Sequence, residues 1–579
     1  MQHNAQMRIR YAVYYSITLA RIVHTAQCNS ENSCRNPMCF FLFCGKISLK
    51  YIGKGAIKLV LFNDVKKNTY YDSITLMLFS GELSAVKGVI SASIMMGTEH
   101  NKSIMLKSGL LSEEAASSAG ANDMLIGILT ETGEDSACAI RAYEKIISSA
   151  TSAGEVSDDD AALKPTTLDA AAKALKDANF AIVSVPGRYA ADEAMKAMHK
   201  GLHVLLFSDN VSLEDEKRLK AYAVEHELLL MGPDCGTAWV NGVALGFANN
   251  VRRGSIGLAA ASGTGLQEVC VIIDRLGGGI SQALGTGGRD VKEEVGGKMM
   301  LAELKALEAD PMTKVIGIVS KPPASSVLLE IIKLCETFTK PVVACFLGGD
   351  RSLIKGTCLK FADTLEAAAV QLVQLSKESA DININEPDYS TLAQEEAAKY
   401  SSAQKYVRGL YSGGSLCYEG ILLAEKVTDH VYSNISSGDY LLENVEESTG
   451  HCYIDMGEDY FTDGMPHPMI DTRLRIERLK KEALDPSVAA IVFDCVIGFG
   501  SNADPAGALA NAVREARKLC PEKHTTFIAS ICGTDSDFQN RAAQAKKLTE
   551  AGVIVMDSNT QAGALAAEII KALQGRELG

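Results

Sequence analysis

An internal repeat in the second half of the chain constrains its fold more than any other sequence feature. Each copy opens with a Gly/Ser turn ahead of a helical pattern: Ser262-Gly263-Thr264-Gly265 in the first, Gly413-Gly414-Ser415 in the second. A Glu follows each turn, Glu268 and Glu419. Next comes an acidic, glycine-containing loop, Gly285-Thr286-Gly287-Gly288-Arg289-Asp290 in one and Asp455-Met456-Gly457-Glu458-Asp459 in the other. An Asp-Pro pair precedes an apolar strand in both, 26 residues on in the first (Gly285 to Pro311) and 29 in the second (Gly457 to Pro486). Both then carry a strand that ends in glycine, at Phe346-Leu347-Gly348-Gly349 and Ile531-Cys532-Gly533. Matched features in one order imply tandem homologous domains, over 254–375 and 403–579. The polar, acidic stretch between them, 376–402, reads as a linker.

The preceding residues alternate in the same way. In 160–253 the apolar strands Ala181–Val185, Val204–Phe207 and Leu228–Met231 are separated by helical patterns at Asp192–His199 and Leu213–Glu225. That rhythm predicts a parallel sheet with ligands at the strand C-termini. Residues 57–155 predict a small α/β domain, followed by a Ser/Gly/Asp-rich linker at Ser149–Asp160. Residues 1–56 differ, with seven Lys/Arg against one Glu and poor patterning. A basic start and the apolar stretch Tyr11–Val23 raise a signal peptide, but the small-residue cleavage signature is weak. The reading preferred for 1–56 is a disordered or spurious extension.

Composition excludes several classes. A net charge of −14 disfavours nucleic acid as a partner, because phosphate neutralisation needs clustered Lys and Arg. No run of 18 apolar residues occurs, so no transmembrane helix is expected. The 15 Cys are scattered with no CxxC, which suits free thiols in a reducing, cytoplasmic setting. Cys28, Cys34, Cys39 and Cys44 are spaced more widely than the usual zinc pairs, so no metal is assigned.

A Gly-rich turn at a helix start exposes backbone N–H groups and the positive end of the helix dipole, which suits phosphate or carboxylate. Two such turns in tandem domains can aim at one anion; taken singly, each also reads as an N-cap and tight corner. Glu268 and Glu419 have two readings, as ligand-orienting or acid–base groups or as stabilisers of a helix end. His467 sits between Pro466 and Pro468, which stiffen its loop. It reads as a base, a phosphate contact or a metal ligand, or as part of a rigid exposed loop. Arg473 nearby suits a carboxylate or phosphate. Arg289 and Asp290 make a similar charged pair at the Gly-rich loop, and Lys321 follows a strand end, where substrate contacts are found, although a lone Lys there also reads as solvent-facing.

These residues carry a family resemblance. Val185-Pro186-Gly187-Arg188, Ser208-Asp209, Gly232-Pro233-Asp234-Cys235 and Ser262-Gly263-Thr264 through Glu268 resemble the succinyl-CoA synthetase α chain. Their order, with Met95-Met96-Gly97-Thr98 and Pro466-His467-Pro468-Met469-Ile470-Asp471, resembles the FdrA family over residues 57–575. The resemblance implies a multidomain α/β protein. It would contain a Rossmann-like CoA-binding-type domain at 160–253, two tandem flavodoxin-like ligase domains and a small N-terminal α/β domain. It implies a phosphate site at Ser262–Gly265 and Gly413–Ser415, with CoA or substrate contacts at Pro186, Phe207, Ser208, Asp209 and Asp234. It also implies a hetero-oligomer with other transferase subunits acting on a small anionic substrate.

The departures from the synthetases are as informative. No His lies between His226 and His430, so the phosphohistidine loop reads Asp350-Arg351-Ser352-Leu353-Ile354-Lys355-Gly356. No ATP-grasp module precedes the ligase domains. Three functions follow as expectations. The first is a phosphate-dependent acyl or carbamoyl transferase subunit, as in oxamate carbamoyltransferase, with phosphate as substrate and no certain cofactor. The second is an ATP-dependent acyl-CoA ligase with a separate ATP-binding subunit, using CoA and ATP. The third is a non-catalytic scaffold or regulatory subunit.

Overall fold

The computed structural model describes residues 11–12, 46–50, 59–69, 71, 73–84, 86–152, 167–377, 388–462 and 466–577. The chain divides into two compact units. The expected extension, 1–56, lies outside the described residues except for two short strands. Tyr11–Ala12 runs parallel to Phe180–Val183, and Lys46–Lys50 runs antiparallel to Leu59–Lys66.

The N-terminal unit is a four-stranded antiparallel sheet in the order Lys46–Lys50, Leu59–Lys66, Met124–Thr130, Val89–Met96. Helices Ser73–Ser84 and Gly133–Ser152 pack their apolar residues, among them Leu76, Leu83, Ala139 and Tyr143, against Phe62, Ile94 and Ile126 of the sheet. The small α/β domain expected from the sequence is present, and its strands pair antiparallel. Of the linker expected at Ser149–Asp160, residues 149–152 complete the second helix and the rest lies outside the described residues.

The second unit holds three sheets. The first is parallel, in the order Tyr11–Ala12, Phe180–Val183, His203–Leu206, Leu230–Met231, as the alternating pattern predicts. The second has seven strands. Its parallel part runs Ile280–Gly285, Arg253–Ala260, Val315–Ser320, Val342–Phe346, Leu359–Phe361. A hairpin, Thr237–Val240 with Val243–Gly246, joins its edge antiparallel. That sheet therefore starts before residue 254, where the sequence pattern placed the border. The third sheet has six parallel strands: Val431–Ser433, His451–Asp455, Tyr406–Tyr411, Val488–Val496, Thr526–Cys532, Ile554–Met556.

The repeat is now visible as topology. In both large sheets the strand that leads into the glycine-containing loop, Ile280–Gly285 or His451–Asp455, lies beside the first, and the next three follow on the other side; the second copy adds Val431–Ser433 at the outer edge. This is the doubly wound order whose chain reversal leaves a crevice at the strand C-termini, between the first and third strands. The first copy puts Ser262–Gly265 and Lys321 at that crevice, and the second puts Ser412–Ser415 there. The two copies share one core. Leu266, Val269 and Ile273 of helix Gly263–Arg275 pack in one cluster with Leu372, Ile421, Leu565 and Ile569 from helices Leu365–Lys377, Gly414–Glu425 and Asn559–Glu577. Part of the expected linker, 378–387, lies outside the described residues. Beyond it, helix Ser390–Ala397 buries Ala393 and Ala397 in the same core, so that portion is a packed element. Among the described residues no helix is long and apolar enough to cross a membrane.

Candidate active site

The two Gly-led helix starts meet. The Ser262 and Ser415 hydroxyls share a hydrogen bond at 2.6 Å. A Cβ on Gly413 would lie 2.8 Å from Thr264 Cγ2, and one on Gly265 would lie 3.4 Å from Ser415 Cβ and 2.3 Å from Ser262 Oγ. The glycines at 413 and 265 are thus demanded by close approach, with ordinary negative φ at Gly413. Ser262 caps the first helix by accepting the Gly265 N–H at 3.1 Å. Among the described residues the N–H groups of Gly263 and Thr264, and those of Gly414, Ser415 and Leu416, have no acceptor. Two helix starts with unpaired first-turn amides thus lie against each other, as a shared anion site would require.

The turn before the second helix is fixed from beneath. Ser412 N–H and Gly413 N–H both donate to Asp494 at 2.9 Å. Asp494 also accepts from Arg475 Nη2 at 2.7 Å. Both side chains are buried, so the pair survives because each charge is compensated. Asp494 was not singled out in the sequence, although a charge inside the apolar strand Val488–Val496 is the signal that marks it.

Asp455 ends the strand His451–Asp455 beside the same helix start, with Oδ2 2.5 Å from where a Gly414 Cβ would be. Burial, reinforced by Glu458 and Asp494, pushes its carboxyl up to about 7, against the Gly457 N–H and the Lys321 ammonium. Lys321 itself reaches across the two copies to lie 4.7 Å from the Tyr418 ring. His467 sits on the other side of Gly457: its Nε2 is 2.9 Å from the Cβ position of that glycine. Its Nδ1 accepts the Met469 N–H at 3.2 Å. Burial and the Arg475 charge push its pKa down to about 4. The Phe247 ring lies 6.0 Å from His467 and 5.9 Å from Phe207, so aromatic side chains line this flank. Phe247, which the motifs did not reveal, links the hairpin to the site. Asp234 is exposed at the same mouth. Partial desolvation and the charges of Asp209, Asp459 and Glu458 raise it to about 6, against Arg289.

Other expected site residues have partners within the fold. Glu268 Oε1 accepts the Asn559 N–H at 2.9 Å. Glu419 accepts the Leu365 N–H at 2.8 Å, Asn559 Nδ2 at 2.8 Å and the Thr560 hydroxyl at 3.0 Å. Each copy's Glu therefore caps a helix of the other copy, and both are 1% exposed. This is a helix-end role, at the start of another helix and not at the end of its own. It reaches a partner far along the sequence, which local pattern does not show. Asp290 is buried against Lys220 at 3.0 Å and accepts the Met299 and Met300 N–H groups at the start of helix Lys298–Ala309. Arg289 pairs with Glu216 at 2.7 Å. These two bind helix Leu213–Glu225 to the loop. Arg473 is held by Asp471 in its own loop, Nε to Oδ2 at 2.8 Å, which satisfies the charge locally. Ser208 is buried, accepting the Val185 N–H at 2.9 Å. Pro186 precedes helix Gly187–Met198 at its exposed start, and Asp209 is exposed beside it.

Comparison with known proteins agrees with this construction. Family models match three stretches: the AllF heavy metal-associated domain at 60–165, the CoA binding domain at 252–348 and the CoA-ligase domain at 410–569. The uncharacterized protein YahF of Escherichia coli (strain K12) is 41% identical over 513 residues, covering 87% of this chain and 98% of YahF. The chain belongs to the YahF family. This YahF-family chain carries the domains of the succinyl-CoA synthetase-like acyl-CoA ligases. Succinate–CoA ligase [ADP-forming] subunit alpha 1 of Archaeoglobus fulgidus is 30% identical over 178 residues, 30% of this chain and 59% of that subunit. The ADP-forming sulfoacetate-CoA ligase subunit SqwL of Acholeplasma sp. is 29% identical over 182 residues, 30% of this chain and 59% of its own. The CoA binding model falls on the first large repeat, whereas the sequence reading gave that role to 160–253. The name of the N-terminal domain implies a heavy metal, and the residues do not fit one. Between 59 and 152 the sequence has one Cys, Cys138, and one His, His100. Thiolates and imidazoles, which with Met thioethers hold soft metals, are too few there to form a ligand set, and among the described residues no three His, Cys, Asp or Glu gather as a ligand group.

Proposed function

We propose that this chain is an FdrA-like, cytoplasmic subunit of a phosphate-dependent acyl or carbamoyl transferase of the oxamate carbamoyltransferase kind. The observation that carries the reading is the Ser262–Ser415 contact at 2.6 Å, with unpaired first-turn amides on both sides. Phosphate held there has the Lys321 ammonium nearby and needs no protein-bound carrier. In the reaction a phosphate oxygen attacks the carbamoyl carbon of oxalurate. The C–N bond breaks, and the oxamate nitrogen takes the proton that hydrogen phosphate gives up. Catalysis comes from holding phosphate in line and from N–H groups facing the charge that develops. The loop Asp350–Gly356, without a His, is in keeping with direct transfer.

A second reading, ATP-dependent acyl-CoA ligation with a separate ATP-binding subunit, is favoured by the CoA binding domain match at 252–348. The two readings separate in one assay. The full chain is reconstituted with candidate partner subunits and given oxalurate plus phosphate, or succinate plus CoA plus ATP. Carbamoyl phosphate from the first mixture alone is the expected result. Succinyl-CoA from the second alone refutes the transferase reading.

A further inference from the structure

A cavity of about 220 Å³ lies between the two repeats, apart from the paired helix starts. The first copy supplies the ends of strands Val342–Phe346 and Leu359–Phe361 with the residues just beyond them. The second copy supplies the later half of helix Gly414–Glu425 and its C-cap, Lys426. None of the residues around it belongs to Ser262–Gly265 or Gly413–Ser415. On the scale by which one water takes about 10–15 Å³, the space admits a molecule of several heavy atoms.

The walls set the chemistry of what fits. Phe346, Phe361 and Leu422 make one part of the lining apolar. Glu419 also lines it, but its oxygens already accept from the Leu365 N–H, Asn559 and Thr560. Two charged side chains of the lining, Asp363 and Lys426, are exposed, and neither has an ion-pair or side-chain hydrogen-bond partner among the described residues. They are of opposite sign and border one cavity, yet their charged atoms stand more than 4.0 Å apart. Thr364 adds a hydroxyl. It accepts the Ala367 N–H at 3.1 Å, and its own proton has no acceptor among the described residues.

An anion alone would meet Lys426 and be repelled by Asp363, and a cation alone would meet the reverse. A molecule with both signs on adjacent atoms satisfies both, through charge-assisted hydrogen bonds, and brings no net charge to the apolar wall. We propose that this cavity binds a free aliphatic α-amino acid. The ammonium group lies at Asp363, the carboxylate at Lys426 and the Thr364 hydroxyl, and the side chain against Phe346, Phe361 and Leu422. A few polar groups fixing orientation within an apolar lining is the usual build of a small-molecule site. The proposal goes beyond the transfer reading and does not rest on it.

Calorimetric titration of the full chain with L-leucine and with its two halves tests the assignment. Isocaproate is leucine without the amino group, and isoamylamine is leucine without the carboxylate. Wild type should bind leucine at millimolar concentration or below, and each half about tenfold more weakly. Lys426→Met should weaken leucine about tenfold and leave isoamylamine unchanged. Asp363→Asn should weaken leucine about tenfold and leave isocaproate unchanged. Both substitutions are at exposed positions, so Tm should stay within a few degrees. Absence of leucine binding by wild type at millimolar concentration overturns the proposal, as does a leucine affinity that neither substitution moves. Isoamylamine binding as tightly as leucine would overturn it too, by making the cavity a site for amines.

Discussion

At the scale of the residue, Asp455 decides how the proposed anion site should respond to pH. Its carboxyl stands beside Gly414 at the head of the second helix and is raised to about 7 by burial and the neighbouring acids. Below that value it is mostly neutral and leaves the helix starts to an incoming anion. Above it, a fixed negative charge occupies the same positive ends. Sulfate does not titrate in this range, so its binding isolates the protein's own ionisation. Sulfate affinity should fall as pH rises from 6 to 8 in the wild type and stay flat in Asp455→Asn; a flat wild-type profile would exclude Asp455 from the site. The sequence showed Asp455 only as one acid among several in a loop. Its importance comes from Gly414, a contact made across two strands, and no local spacing encodes that.

At the scale of the element, the crossed caps join the two repeats. Glu268 holds the start of helix Asn559–Glu577, and Glu419 holds the start of helix Leu365–Lys377. Burial pushes Glu419 up to about 7. A carboxyl whose folded pKa lies above its unfolded value of about 4.3 stabilises fully below the unfolded value and loses that contribution as pH rises through the folded one. Glu419 therefore costs the fold up to about 3 kcal/mol between pH 4 and pH 8. Thermal unfolding of wild type and Glu419→Gln should give curves that separate as pH rises through 7, with the wild type losing more. Parallel curves would mean that Glu419 stays ionised throughout. Glu268→Ala, which strips the Asn559 N–H of its acceptor, should cost about 1–3 kcal/mol. A loss below a few tenths would deny it the cap. Element order was largely legible: helix Leu213–Glu225 agrees with the sequence pattern to the residue, and the strands expected at Ala181–Val185 and Val204–Phe207 fall at Phe180–Val183 and His203–Leu206. The hairpin at Thr237–Gly246 and the helix Ser390–Ala397 were not. The first is a short pair added to a sheet edge, and the second is a polar helix whose burial depends on Ala393 and Ala397 packing onto distant helices.

At the scale of the whole molecule, a duplication brings two ordinary helix starts into contact. The repeat was readable because glycines recur where backbones must approach, and the shared strand order of the two large sheets confirms it. The division of labour within the site was less readable. Glu268, Glu419, Arg289 and Asp290 look catalytic by type, yet the fold uses them to hold copies and helices together. The convergence of the helix starts depends on Gly413, whose Cβ would press on Thr264 from 2.8 Å. The most direct test is phosphate binding by the full chain, measured by calorimetry for wild type and Gly413→Ala. Binding by the wild type and its loss in the variant, with Tm within a few degrees, is the predicted result. Equal binding by both proteins would contradict a site built from two helix starts.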